Sequence, residues 1–246
     1  MKRFLLMIQF LTRIPLNMEL EVDERDFSEG IIYFPLVGLI IGLFIVAAYT
    51  VGLHLGGILL AAVMAVTVEV FISGGLHLDG LGDTFDGVYS NRPREQILEI
   101  MKDSRLGTNA ALAIILILML KIALISSMQS QHIYSVLLLM PVFSRLSLVF
   151  GSRFSKYARK SGMGNLQIEK TTNRHVFITC TMAFIFSFIN PWTLIFLPIL
   201  FIFSILYIQH ITGKIGGMTG DTLGALCELS EIVYLSYFLI LIYLVR

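Results

Sequence analysis

SGGLHLDGLGDTFDGVYSNRPREQILEIMKDSRLGTN, residues 73–109, lies between two long apolar runs and carries six of the chain's seventeen acidic residues. Asp79, Asp83 and Asp86 stand at i, i+4 and i+7. On an α-helix that spacing gathers three carboxylates into an arc of roughly 60° over about 10 Å of axis. Like charges so close disfavour one another's ionisation unless a cation sits among them. Mg²⁺ takes hard oxygen ligands and bridges carboxylates to a substrate's phosphates. Gly80, Gly82 and Gly87 are poor helix residues, but they remove bulk where a large ligand could approach the backbone. A solvated acidic turn is the plain alternative. A position at the mouth of a membrane span favours the metal site.

The flanking runs set the class. Of 246 residues, 56% are hydrophobic and 14% charged, and the mean hydropathy is +0.82. Soluble domains average about 25% charged residues, so the expectation is an all-α, polytopic membrane bundle forming a single transmembrane domain over residues 1–246. A net charge of +1 gives no reason to expect a nucleic-acid partner. Cys180 and Cys227 follow no metal or disulfide spacing.

A span needs about 20 predominantly apolar residues. Seven segments qualify as candidates: Ile31–Leu53, Gly57–Gly75, Ala110–Ser127, Ile133–Phe150, His175–Asn190, Trp192–Gln209 and Ala225–Val245. The fifth and sixth are short, meet at Asn190-Pro191, and read alternatively as a re-entrant pair. Ahead of them, Phe4, Met7, Ile8 and Leu11 have the spacing of a helix lying in the interface. The apolar run there is too short, and lacks a small-residue cleavage site, for a signal peptide. Glu19–Glu29 reads as an acidic connector. Lys and Arg number four up to Arg25, four in Leu76–Asn109, six in Arg153–Arg174 and one in Ile211–Gly224, with none around His54, Gln129 or Asn190-Pro191. The positive-inside rule then places the charged loops in the cytoplasm and the C-terminus outside, as in a cell (inner) membrane. Lys121, inside the third span, is expected to snorkel outward.

Other polar residues fall near these mouths. In GGMTGDTLGALCELSE, residues 216–231, Gly217, Asp221, Gly224, Glu228 and Glu231 share a helical face. That face reads as a second half-site or as a packing face with acids reaching water. Sharing one cation would bring the Asp221 oxygens within about 5 Å of Asp79 or Asp83, with Glu228 deeper and orienting the site. Lys102 and Arg105 are candidates to hold phosphate, Arg as a bidentate fork, beside an ordinary flanking role. Glu69 and Arg145 are intramembrane charges, functional by default or paired with one another. His77 points away from Asp79 on an unbroken helix, although Gly74-Gly75 would break it. Arg153–Lys170 reads as a solvated or headgroup-binding basic loop. Neither G-x-x-x-x-G-K-[ST] nor G-x-G-x-x-G occurs.

Gly74-Gly75-Leu76-His77-Leu78-Asp79-Gly80-Leu81-Gly82-Asp83-Thr84-Phe85-Asp86-Gly87 resembles the signature of the adenosylcobinamide-GDP ribazoletransferase (cobalamin synthase) family. Glu99–Thr108, Gln9–Pro15, Phe34–Gly38 and Gly217–Ala225 are similar to further blocks of that family, in order and over nearly the full chain. Gly82 and Phe85 depart from it, where small residues such as Ala are frequent. The resemblance implies a membrane enzyme that joins adenosylcobinamide-GDP, a corrinoid nucleotide, to α-ribazole or its 5′-phosphate, releasing GMP with Mg²⁺ as cofactor. It implies Asp79, Asp83 and Asp221 as metal ligands, Asp86 as ligand or base, and Asp83 with Asp86 at the chemistry. His77, Lys102, Arg105 and Thr219 are the substrate-binding candidates. A CDP-alcohol phosphotransferase also gathers aspartates at a span mouth, but Asp86-Gly87 runs into Val88-Tyr89-Ser90-Asn91 rather than that family's pattern. A cation-coupled transporter would place its acids nearer mid-membrane.

Overall fold

A computed structural model describes residues 1–16, 18, 21–128, 132–159 and 162–244. Glu19, Gln129, Lys160 and Val245, which figured in the expected connector, gap, basic loop and last span, lie outside the described residues. The architecture is all-α: α1 (Lys2–Leu11), α2 (Glu24–Gly30), α3 (Phe34–Ser73), α4 (Leu76–Val88), α5 (Arg94–Ile100), α6 (Thr108–Ser127), α7 (Ile133–Arg153), α8 (Met163–Ile168), α9 (Asn173–Phe186), α10 (Thr193–Ile215) and α11 (Gly220–Leu244).

Among the described residues five helices are long and apolar enough to cross a membrane, not seven. The difference has two sources. The α3 helix contains two of the expected spans, broken at Gly56 (φ −160°, ψ 18°) and Gly57 (φ 79°, ψ −168°). A Cβ added at Gly52 would lie 2.6 Å from Ala61 Cα. Nine residues of straight helix would separate those positions by about 13 Å, so the two arms double back as a hairpin. The second source is α9, whose 14 residues fall short of a span. The α10 helix has 23 residues, too long for half of a re-entrant pair.

The α7 helix is the one the others surround, with every residue from Leu139 to Ser152 buried. Gly38-Leu39-Ile40-Ile41-Gly42 of α3 packs on it, and Cβ atoms at Gly38 and Gly42 would meet the Pro141 and Leu138 carbonyl oxygens at 2.4 and 2.1 Å. This is the small-xxx-small contact that lets membrane helices approach backbone to backbone. On α6 the outward residues Leu112, Ile115, Leu116 and Met119 are 53–63% exposed, an apolar stripe at helical spacing of the kind a bilayer covers. The apolar face of α1 turns inward instead. Met7 and Leu11 are buried, with Met7 against Gly30, so that periodicity reports packing on the bundle.

Lys121 does not snorkel. Its side chain is buried, and Nζ donates to Glu69 (3.2 Å), Glu228 (2.8 Å) and Glu231. Glu231 also accepts from Arg145 Nη1 at 2.6 Å and Ser144 Oγ at 2.8 Å. Glu69 and Arg145 are therefore linked through Lys121 and Glu231 rather than paired directly. Removing one partner of a buried ion cluster strands the others, at about 3–5 kcal/mol. Lys121→Met should consequently fail to yield a folded species in detergent, or melt far below the parent protein, whereas Lys121→Arg should retain most of the stability. Equal melting temperatures for the parent and Lys121→Met would contradict this account.

Candidate active site

Two consecutive glycines turn the chain from α3 into α4. Gly74 (φ 63°) and Gly75 (φ 70°) are both left-handed, a conformation that side chains with a Cβ resist. The turn sets α4 against α11 so closely that a Cβ at Gly80 would lie 2.7 Å from the Asp221 carbonyl oxygen. One turn on, a Cβ at Gly224 would lie 3.2 Å from the His77 carbonyl oxygen. The signature glycines thus bring residues more than 130 positions apart into backbone contact.

The charged segments gather at this end of the bundle. Arg94 donates to the Ile215 and Ala158 carbonyls at 2.7 and 2.9 Å. The Ala158 amide bonds the Met218 carbonyl, and the Met218 amide bonds the Lys156 carbonyl. Between these segments and the first helices lies a cavity of about 240 Å³. Asp79, Asp221, His77, Arg159, Gln167 and Tyr157 supply its polar lining, while Phe10, Leu11, Phe27, Phe34, Leu148 and Leu223 supply the apolar part.

The expected site residues divide at this cavity. Asp79, Asp221 and His77 line it. Thr219 lies beside it, its hydroxyl 3.3 Å from Asp221 Oδ2. Asp83 is half-buried next to them, and burial, then Asp221 and Asp79, push its carboxyl up to about 7. Asp86 faces elsewhere: Oδ2 accepts from the Gly107 amide at 2.7 Å and Oδ1 from the Ala110 amide at 2.9 Å. It caps α6, and a Cβ at Gly107 would collide with its carboxylate. Each oxygen keeps a further lone pair. Lys102 and Arg105 are exposed and outside the lining, and Arg105 forks onto Asp103 at 2.5–3.0 Å. Glu228 lies deeper than the cavity, on Lys121. Among the described residues no three His, Cys, Asp or Glu side chains converge ready to hold a metal ion. Asp221 instead accepts from Arg159 Nη2 at 2.8 Å.

Arg159 is the residue that sequence reading missed. It sits in the stretch assigned to a solvated basic loop, yet its side chain is only 15% exposed. No local pattern marks it, because only the fold brings it to Asp221. His77 is nine-tenths buried, and burial, then the Arg145 cation, lower its imidazole to about 3, so the ring is neutral.

Asp83 supplies a pH test. A carboxyl with a folded pKa near 7 and an unfolded one near 3.9 holds its proton longer in the folded state. Its contribution to stability is present at low pH and is lost as pH rises through about 7. In chelator, Asp83→Asn should melt higher than the parent at pH 8, with the difference shrinking towards pH 5. A difference independent of pH would remove the crowding argument.

The family model described as cobalamin-5-phosphate synthase matches residues 3–239. The chain is similar to the adenosylcobinamide-GDP ribazoletransferase of Alkaliphilus metalliredigens, 48% identical over 98% of this chain and 96% of that protein. It is also similar to the same-named proteins of Clostridium acetobutylicum, 41% identical over 95% and 94%, and Clostridioides difficile, 41% identical over 99% of each. No solved structure matches. With the motif blocks in order, the cavity at their meeting point and this full-length similarity, the chain belongs to the cobalamin-5-phosphate synthase family.

Proposed function

We propose that this chain joins adenosylcobinamide-GDP to ribazole, or its 5′-phosphate, in the membrane, releasing GMP as a late step of cobalamin synthesis. The observation that carries the site is the backbone contact of α4 with α11, which sets Asp79 and Asp221 on one cavity. In the reaction a ribose hydroxyl of the acceptor attacks the phosphorus attached to the cobinamide. A new P–O bond forms, the bond to the bridging oxygen breaks, and GMP departs with that electron pair. The hydroxyl proton passes to a carboxylate of the cluster, Asp83 or Asp86. Asp86 remains the alternative base or a ligand anchored on α6. Lys102 and Arg105, on an exposed loop, are candidates to meet the diphosphate once substrate is bound.

Mg²⁺ takes oxygen ligands of this kind, and Asp221 and Asp79 lie close enough to Asp83 to crowd its carboxyl. Asp79, Asp83 and Asp221 would hold it. Bound there, it would supply charge neutralisation for the phosphoryl group. Arg159 serves as the counter-charge to Asp221 in this structure and is a second group for phosphate.

Asp79→Asn and Asp83→Asn keep size and remove charge. Each should fold normally in detergent and lower GMP release from adenosylcobinamide-GDP plus ribazole by about 10²-fold or more. Parental rates with parental Mg²⁺ dependence in both variants would exclude the assignment.

The charged end of the bundle is proposed to face the cytoplasm, on the Lys/Arg asymmetry. Asn91→Cys, Asn165→Cys and Gly216→Cys, each made singly in intact cells, should resist impermeant thiol reagents until the membrane is opened. Labelling of any of them from outside would reverse the orientation.

A further inference from the structure

The buried cluster around Lys121 has an odd charge count. Glu69 of α3 and Glu228 and Glu231 of α11 bring three carboxyl groups, against the Lys121 ammonium of α6 and the Arg145 guanidinium of α7. None of these five side chains is more than 7% exposed. The other titratable groups beside Arg145 supply no further cation, since His77 of α4 is neutral and Cys227 of α11 is a thiol. With all three glutamates ionised, one negative charge would stand uncompensated among apolar helices. An unpaired ion in that setting is strongly destabilising.

The hydrogen bonds single out the odd carboxyl group. Glu231 accepts from three donors, Lys121 Nζ, Arg145 Nη1 and Ser144 Oγ. Glu228 holds Lys121 Nζ at 2.8 Å. Glu69 makes the longest contact with that ammonium, 3.2 Å. Its second oxygen, Oε1, is buried with no hydrogen-bond partner among the described residues. An ionised carboxyl group only accepts, whereas a protonated one also donates, so Glu69 is the poorest anion of the three and gains most from a proton. Glu231 is near enough to receive that hydrogen bond, because both groups bond the same ammonium.

We infer that Glu69 is a neutral carboxylic acid in the folded protein, its proton bridging to Glu231, so that the cluster is a proton-binding site within the membrane. The proton is taken from solvent as the helices assemble and returned when they part. Glu69 stands on the arm of α3 that ends in the Gly74-Gly75 turn, and Glu231 on the helix that carries Asp221. Loss of the proton sets two like charges between those helices. The bound proton is thus a latch between the two elements that present Asp79 and Asp221, and alkaline conditions release it.

Glutamine is the isostere of a neutral glutamic acid, which makes Glu69→Gln the deciding variant of the full chain in detergent. It should fold and melt no lower than the parent. Glu231→Gln, which strips Arg145 of its carboxylate, should melt about 6 °C or more below the parent. A proton kept by the folded protein and given up by the unfolded chain stabilises most at low pH, and that contribution declines as pH rises. Between about pH 6 and 9 the unfolding equilibrium constant of the parent should therefore rise relative to that of Glu69→Gln, by up to about tenfold per pH unit. Asp83 is common to both proteins and cancels in the comparison. Infrared spectra at about pH 8 should show a carboxylic-acid carbonyl stretch, distinct from the carboxylate bands of ordinary acidic residues, that the parent has and Glu69→Gln lacks. None of these measurements requires turnover. Melting of Glu69→Gln as low as that of Glu231→Gln, a difference from the parent independent of pH, or no lost carbonyl band would show an ionised Glu69 and overturn the inference. Parental melting that rises with sodium or potassium concentration, where Glu69→Gln does not respond, would put an alkali cation in the proton's place and overturn it equally.

Discussion

A lysine ammonium enclosed by three glutamates is the interaction on which this bundle depends. Lys121 of α6 reaches Glu69 of α3 and both Glu228 and Glu231 of α11, while Arg145 of α7 holds the far oxygen of Glu231. Four helices are thereby joined at one point inside apolar surroundings. Between helices in lipid there is little hydrophobic driving force, so polar contacts and close packing must fix their arrangement. Charge in such a setting tolerates few geometries, since each group requires its partner. The cluster accordingly sets the depth and rotation of α11 relative to α3 and α6, and it does so two turns below Asp221.

From that anchor, glycine decides the distances. At Gly38 and Gly42 the backbone of α3 meets α7, and at Gly80 and Gly224 α4 meets α11. The second contact serves the site directly. A single methyl group at Gly80 would push Asp221 away from Asp79 and Asp83, because the atoms it would strike are backbone. Position along α11 is thus fixed by charge and separation from α4 by the absence of side chains. The carboxylates acquire their spacing from both. Asp86 contributes in another way, capping α6 and so holding the first turn of that helix beside α4.

The cavity at this junction is assembled from parts with little local character. Phe10 belongs to an amphipathic helix, Phe27 to an acidic connector that in fact contains a short helix, and Arg159 and Gln167 to a stretch read as a basic loop, in which Gln167 lies on α8. None stands in a periodic or motif-bearing run with the aspartates. What they share is a position in space, created when α1 and α2 fold back on the mouth of the bundle. There Lys170 pairs with Glu24 at 2.8 Å and the Arg13 amide bonds the Ile72 carbonyl at 2.7 Å.

Composition, the apolar runs and the aspartate spacing were sufficient to specify a membrane-spanning helical bundle and its family. Each is a property of contiguous residues and survives without knowledge of neighbours. Asp79, Asp221 and His77 were legible as site candidates because motif glycines flank them. The hairpin at Gly56-Gly57 was legible as two separate spans, and the segment that forms α9 was legible as short. Lys121 was misread as a snorkelling residue, since an isolated lysine inside a span has no visible partner in its own helix, and its three carboxylates come from 52 to 110 positions away. Asp86 reads from spacing as a member of the acidic cluster, and its oxygens also accept from the Gly107 and Ala110 amides at the start of α6. The role of Arg159 likewise depends on a contact 62 residues distant. Local pattern determines which helices form and which faces they bury, and the pairing of charges is decided only when those helices meet.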